Sequence, residues 1–344
     1  MTAPPTSRWW HPDAHADRRP LLLARNRVKT ALQGWFAERG FVNAECGALQ
    51  VSPGNETHLH AFAADWQPEG GTAARRYLHT SPEFAAKKLL AAGESRIVDF
   101  ARVWRNREAG PLHAPEFTMI EWYRTDADWT VVMADSVALC RTALAAAGRA
   151  RLTWRDKECD PFAEPERLTL ATAFDRYCRL DLAALLDARD ALAVAATSLG
   201  ITVASDDNWS DLFSKIVVTR IEPHLGHGRL TLLCEYPLAE AALARPCPAD
   251  PRFAERFELY ACGVELANGF GELTDAIEQR RRFQAEMDLK EQLYGERYPI
   301  DEDFLAALAL MPPASGVALG FERLALLATG GRHINDMIWT PFAL

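Results

Sequence analysis

The strongest constraint on the fold is a pair of strand-like runs, Arg96 to Trp104 and Glu116 to Tyr123, separated by the polar stretch RNREAGPLHAP. Extended segments joined directly in this way pair antiparallel, here as a hairpin with an unusually long and charged connection. A second pair, Arg256 to Ala261 and Val264 to Phe270, flanks Cys262-Gly263, where a tight turn would close another hairpin. Arg229 to Glu235 reads as a further strand. Strands joined by turns, or grouped before helices, predict an α+β fold: an antiparallel β-sheet flanked by helices, not parallel βαβ units.

The helices follow from periodicity. Val28, Leu32, Trp35 and Phe36 fall at i, i+4, i+7 and i+8, so Leu21 to Gly40 is predicted helical with Gly40 as its stop. A short strand, Phe41 to Glu45, is expected next, and 46–76 reads as loop-rich. Thr80-Ser81-Pro82-Glu83 opens a helix: Ser81 suits the N-cap, Pro82 the first turn, and Glu83 the positive end of the helix dipole. Residues 130–150 are predicted helical, 151–225 helix-rich, and 274–293 a charged helix. Ser315 to Ala328 reads as a glycine-containing strand running into a helix. Residues 1–20 are expected to form a flexible tail and 21–344 a single domain.

Charge and cysteine usage bound the chemistry. There are 38 Lys+Arg against 47 Asp+Glu, a net charge of −9, which disfavours binding nucleic acid across a broad basic face. Seven scattered cysteines with no C-x-x-C pair suggest reduced thiols and neither a disulfide framework nor a zinc site. The N-terminus lacks the apolar stretch of a secretory signal, and no segment is expected to approach the ~20 apolar residues of a membrane span. A soluble cytoplasmic protein is the expectation.

Three constellations carry chemistry. In the first, Arg105, Arg107, Glu108 and His113 lie in the hairpin loop. Phe117, Glu121 and Tyr123 follow at even steps, so they project from one face. An aromatic platform beneath an arginine-bearing loop suits a flat base and a phosphate, although an amphipathic hairpin with solvated charges is the plain alternative. In the second, Glu258, Glu265 and Glu272 are seven residues apart. Across a turn at Cys262-Gly263, Glu258 and Glu265 would lie roughly opposite each other, a like-charge pair that Mg²⁺ would neutralise. Solvent-facing alternation is the other reading, opposed by the small and apolar neighbours of Glu265; Asn268 could add polar contacts. The third is SGVALGFER, where Arg323 in the first turn of a helix opposes the dipole unless an anion binds alongside. It has neither the lysine of a P-loop nor the G-x-G-x-x-G fingerprint. His58-x-His60 reads as structural, His224 and His227 as solvated, and Ser81 offers no nucleophile setting.

In this order the constellations resemble the motifs of class II aminoacyl-tRNA synthetases, most closely the lysyl branch. WRNREAGPLHAPEFTMIEWYR looks like motif 2, GVELANGFGELTD like the lysine- and metal-binding segment, and SGVALGFERL like motif 3. Residues 25–53 are a weaker motif 1, which in the family builds the dimer interface. Only about 20 residues precede the catalytic domain, too few for an anticodon-reading domain. That start, with the HTSPEF and SGVALG wordings and Ala318, is similar to the free-standing paralogues that ligate (R)-β-lysine to elongation factor P.

The resemblance implies an ATP-dependent, AMP-forming ligase using Mg²⁺. Its catalytic residues would be Arg105, at the α-phosphate, and Arg323, which with Phe117 would sandwich adenine. Asn106, Arg107, Glu108, His113, Leu266 and Gly320 would complete the ATP site. Glu258 and Glu265 would hold the metal. Ser81, Pro82 and Glu83 would sit at the substrate's amino end, Glu121, Tyr123 and Glu272 would receive its ε-ammonium, and Asn268 its carboxylate end. The implied partners are lysine or β-lysine and elongation factor P, in a homodimer that does not bind tRNA stably or associate with membranes. A ligase for another acceptor and a catalytically silent regulatory subunit are the alternatives. Two departures stand out: Arg107 occupies the place of the usual motif 2 glutamate, and Ala114 that of an asparagine.

Overall fold

The computed structural model describes residues 8–342. Eight strands form the central sheet: β1 (Val42–Asn43), β2 (Arg96–Trp104), β3 (Glu116–Thr125), β4 (Glu166–Thr169), β5 (Thr231–Pro237), β6 (Phe253–Ala261), β7 (Val264–Gly271) and β8 (Ala314–Gly320). Their order is β1-β2-β3-β8-β7-β6-β5-β4. Every pairing is antiparallel except the two outermost, β1 with β2 and β5 with β4. The predicted antiparallel α+β layout is therefore the one observed, with parallel pairs confined to the edges.

Five helices frame the sheet: α1 (Pro12–Glu38), α2 (Glu83–Ala91), α3 (Trp129–Ala147), α4 (Ala276–Tyr294) and α5 (Phe321–Thr329). The period-2 alternation of the strands divides the sheet into two faces. Val98, Ile120, Trp122, Phe257, Leu259, Val317 and Leu319 point to one face, where they form the main core with the apolar stripe of α1 and with α3 and α5. The other face carries the cleft.

The first expected helix begins earlier than its periodicity suggested. Residues 12–20 are helical, with Pro20 inside α1, so a loose tail is not what precedes Leu21; residues 1–7 lie outside the described residues. The extension is held from afar: the Arg18 guanidinium donates to the backbone oxygens of Asn335 and Ile338. The loop-rich stretch 46–76 also contains part of a small three-stranded sheet, Leu49–Gln50, Phe62–Trp66 and Ala74–Leu78. Short helices within 170–216 pack Phe174, Leu212 and Phe213 into a second core against Leu233 of β5.

Contrary to expectation, α3 is long and apolar enough to cross a membrane by length and composition; half of it is nevertheless buried within the fold, and Asp135 forms a bidentate ion pair with Arg124 of β3 at 2.7 and 3.1 Å. All seven cysteines are free thiols, as expected.

Candidate active site

The site is built on the sheet face opposite the main core. Register aligns Asp99, Glu121, Ala318, Asn268 and Glu258 in one row across β2, β3, β8, β7 and β6. The neighbouring row sets Tyr123, Gly316 and Phe270 side by side. Small residues on β8 keep this floor low. A Cβ on Gly316 would lie 2.4 Å from the Tyr123 ring and 2.6 Å from Glu272 Oε1, so only glycine fits. Above the floor lies an open cleft lined by both charged and apolar side chains, as ligand sites are. Among the predicted residues, Ser81, Glu83, Arg105, Glu108, His113, Phe117, Glu265, Leu266, Asn268, Gly320 and Arg323 line it.

At one end the cations gather. Arg323 projects from the first turn of α5. Its guanidinium donates to Glu265 O (3.0 Å), approaches Glu265 Oε2 (3.4 Å) and donates to Leu112 O (3.2 Å). His113 Nε2 accepts from Arg323 Nη2 at 2.7 Å; burial first, and then the arginine charge, hold the imidazole below its ordinary value and keep it neutral. The Arg105 guanidinium lies 5.4 Å from the Phe117 ring centroid and 3.8 Å from Glu108 Oε1, and Arg105 Nε donates to Thr80 O. Aromatic ring, neutral imidazole and two arginines thus share one wall. The sequence alone did not reveal Glu322, which fixes this wall from beneath by accepting from Arg25 (2.9 Å) and from the Thr118 backbone N–H (2.8 Å).

At the other end sit the carboxylates. Ser81 Oγ accepts from the Glu83 N–H at 3.1 Å, although the N-cap position of α2 falls on Pro82 and not on Ser81 as expected, and donates to Glu121 Oε2 at 2.6 Å. Tyr123 Oη donates to Glu121 Oε1 at 2.5 Å. Burial, reinforced by Glu83, pushes the Glu121 carboxyl up to about 8 despite these two donors. Pro82 serves as the cap of α2 and does not reach the cleft, and Tyr123, Glu121 and Glu272 lie beneath its surface. The residue missed here is Lys87. Its Nζ is 2.5 Å from Glu83 Oε1 and 2.6 Å from Glu272 Oε2, and its side chain is 1% exposed. Burial works against that charge, but Glu272 and Glu83 outweigh it and hold the ammonium above its ordinary value. Glu272 is pushed up to about 7 by burial, with Lys87 pulling the other way. Asn268 Oδ1 is buried without a hydrogen-bond partner, in a side chain that lines the cleft.

The expected metal pair is displaced from its predicted register. Cys262 and Gly263 do form the turn, with φ of 57° and 72°. A bulge then shifts the ladder, so Glu265 faces Tyr260, and Glu258 faces Asn268. The two glutamates are therefore diagonal neighbours and not direct opposites. Glu258 is already engaged by Arg256 and by Tyr260 Oη, each at 2.6 Å, and does not line the cleft. Glu222, unnoticed in the sequence, joins this group: burial and the charges of Glu258 and Glu265 push it up to about 7. Burial and Glu258 likewise raise Glu265. Mutually repelling carboxylates beside an open cleft suit a divalent cation that substrate phosphates would also ligate. Protein donors alone would not suffice, because no group of three or more His, Cys, Asp or Glu side chains among the described residues is arranged to hold a metal.

Two predicted nucleotide contacts leave the cleft altogether. Asn106 pairs with His60 through its backbone, and its side-chain oxygen accepts from the Arg107 N–H. Arg107 adopts a left-handed backbone, φ 66°, which turns its side chain toward Glu296 and His60. His58 and His60 bond to Tyr294 and Glu296, the structural role expected of them.

Comparison with known proteins agrees with this geometry. A family profile described as "tRNA synthetases class II (D, K and N)" matches residues 6–343. Among similar proteins, the elongation factor P–(R)-β-lysine ligase of Haemophilus ducreyi is 37% identical over 331 residues, covering 96% of this chain and 95% of that protein. The ligases of the same name from Proteus mirabilis (37% over 336 residues, 96% and 97% covered) and Salmonella arizonae (35% over 333, 96% of each) are equally extensive matches. The chain belongs to the class II tRNA synthetase family.

Proposed function

We propose that this protein activates (R)-β-lysine, or lysine, with ATP and transfers the acyl group to a lysine side chain of elongation factor P. The supporting observation is a single cleft with paired arginines and an aromatic ring at one end and a buried set of three carboxylates at the other. Buried carboxylates need cationic partners, and Lys87 supplies one charge between Glu83 and Glu272 while Glu121, pushed up to about 8, is left without a cationic partner. A substrate ammonium would supply another. Relatives named as ligases of β-lysine to elongation factor P support the same reading.

In the first step the substrate carboxylate attacks the α-phosphorus of ATP, forming the acyl-adenylate and releasing pyrophosphate. Arg105 would lie against the α-phosphate and stabilise the developing charge. Phe117 and Arg323 would sandwich adenine, with Gly320 and Leu266 lining the same space. His113, neutral and bonded to Arg323, would place the phosphates, and Glu108 would face the adenine amino group. Ser81 and Glu83 would meet the substrate's amino end, Glu121, Tyr123 and Glu272 its ε-ammonium, and Asn268 its carboxylate end. Glu265 and Glu258 would hold Mg²⁺, which when bound would supply neutralisation of triphosphate charge. In the second step the neutral acceptor amine attacks the acyl carbon, an amide forms, AMP leaves and the amine loses a proton. No side-chain nucleophile is needed, so catalysis is positioning and electrostatics.

An acidic chain offers tRNA no broad basic face, and an elongation-factor acceptor implies a cytoplasmic enzyme. Exposed Val42, Leu49 and Val51 beside the edge strand would be covered in a homodimer. ATP–pyrophosphate exchange with both lysine isomers tests the first step. Exchange restricted to non-basic amino acids would overturn the assignment of Glu121 and Glu272.

A further inference from the structure

Arg107 replaces a residue type that the motif 2 pattern places against the nucleotide, yet its side chain points out of the cleft. Its left-handed φ of 66° is uncommon for a non-glycine residue and marks a conformation imposed by surrounding contacts. The consequence is local. Arg107 points outward, whereas Glu108 lines the cleft beside Arg105.

Outside, Arg107 joins a connected set of side chains. Its guanidinium pairs with Glu296 and reaches His60 Nε2 at 3.3 Å, and it lies 5.8 Å from the Tyr294 ring centroid. Glu296 Oε2 in turn holds His60 Nδ1 at 2.8 Å. The backbone adds a further tie, Asn106 N–H to His60 O at 2.7 Å. The segment containing His60 is itself anchored to α4, because Lys290 Nζ donates to Thr57 O (2.8 Å) and Leu59 O (2.7 Å). The turn bearing Arg105 and Glu108 is thus braced from behind against the end of α4 and the chain just beyond it.

We infer that Arg107 and Glu296 form a strut that holds the Arg105–Glu108 turn in its nucleotide-binding geometry. Arg107 is a positioning residue that acts through Arg105 and Glu108, and Glu296 is its counterpart. This inference rests on the reading that the cleft binds ATP. It differs from the motif-based expectation in a measurable way: if Arg107 touched ATP itself, Glu296 would be irrelevant.

The test compares wild type with Arg107→Ala, Glu296→Ala and the double variant in ATP–pyrophosphate exchange, titrating ATP and amino acid separately. Each single variant should raise the KM for ATP by roughly two- to fivefold, the range for a half-exposed ion pair. The KM for amino acid should stay unchanged, any fall in kcat should be no larger than the rise in the KM for ATP, and the double variant should be no worse than the singles. An unaffected Glu296→Ala beside an impaired Arg107→Ala would overturn the strut, as would additive effects in the double variant. Amide hydrogen exchange of residues 105–114, without substrates, reads the same brace independently of activity. Faster exchange in both single variants supports it even if the wild type shows no pyrophosphate exchange, an outcome that would defeat only the functional reading. Exchange unchanged from wild type in both would overturn it.

Discussion

Replacing Lys87 by methionine tests the electrostatic design of the cleft most sharply. Lys87 lies buried with its Nζ 2.5 Å from Glu83 and 2.6 Å from Glu272. Methionine fills similar volume but leaves two buried carboxylates facing each other, with Glu121 nearby. Breaking a buried ion pair from one side costs about 3–5 kcal/mol when the remaining charge persists. The carboxyls can escape that cost by taking up protons, so the penalty depends on pH. Glu272 already stands at about 7, above its ordinary carboxyl value, with Lys87 pulling it down; without Lys87 it moves higher. A carboxyl raised in the folded state binds more protons than in the unfolded chain, so its effect on stability becomes less favourable as pH rises through that window. The loss in Lys87→Met should therefore be near its full value at about pH 8.5 and shrink to roughly 1 kcal/mol at about pH 6. At roughly 2 °C per kcal/mol for a large domain, the Tm gap to wild type would be about 6–10 °C at the higher pH. Thermal melts of both proteins at both pH values decide the matter. A gap that is absent, or equal at the two pH values, would show that Lys87 does not neutralise Glu83 and Glu272.

Other expectations follow from the same geometry. Below about 8, where Glu121 holds a proton, a cationic substrate must displace it, so the KM for amino acid should rise as pH falls from 8.5 to 6.5, by up to about tenfold per unit. Glu121→Gln should flatten that dependence while weakening amino-acid binding; a profile like the wild type's would remove Glu121 from the ammonium site. Gly316→Ala would drive a methyl into the Tyr123 ring and Glu272, lowering stability by about 1–3 kcal/mol and raising the KM for amino acid more than that for ATP. Arg323→Met should cost on the order of 10²-fold or more in kcat/KM for ATP exchange while leaving lysine binding by calorimetry intact; equal loss of both would contradict the two-ended cleft.

What the sequence revealed, and what it hid, divides along physical lines. The Val28, Leu32, Trp35 and Phe36 stripe and the even-step face of Phe117, Glu121 and Tyr123 were legible because periodicity is local. Ser81 was legible as a partner for the first N–H groups of α2 for the same reason. Lys87 was not, because its two partners lie four and 185 residues away and only the fold brings Glu272 to it. The bulge in β7 also escaped notice. In a regular strand, Glu265 and Asn268 would face opposite sides, and one extra residue puts both in the cleft. Motif spacing suggested that Arg107 faced the nucleotide, but the left-handed backbone that turns it away depends on Glu296 and His60, distant in sequence. Helix α1 begins before its apolar stripe because contacts from Arg18 to the far end of the chain hold it.

Elongation factor P incubated with this protein, ATP, Mg²⁺ and (R)-β-lysine, followed by intact-mass measurement, tests the proposed transfer itself. One β-lysyl group should be added on a lysine side chain, dependent on ATP, with AMP formed in equal amount. An unchanged mass, while a relative of known activity modifies the same preparation of factor, would contradict it.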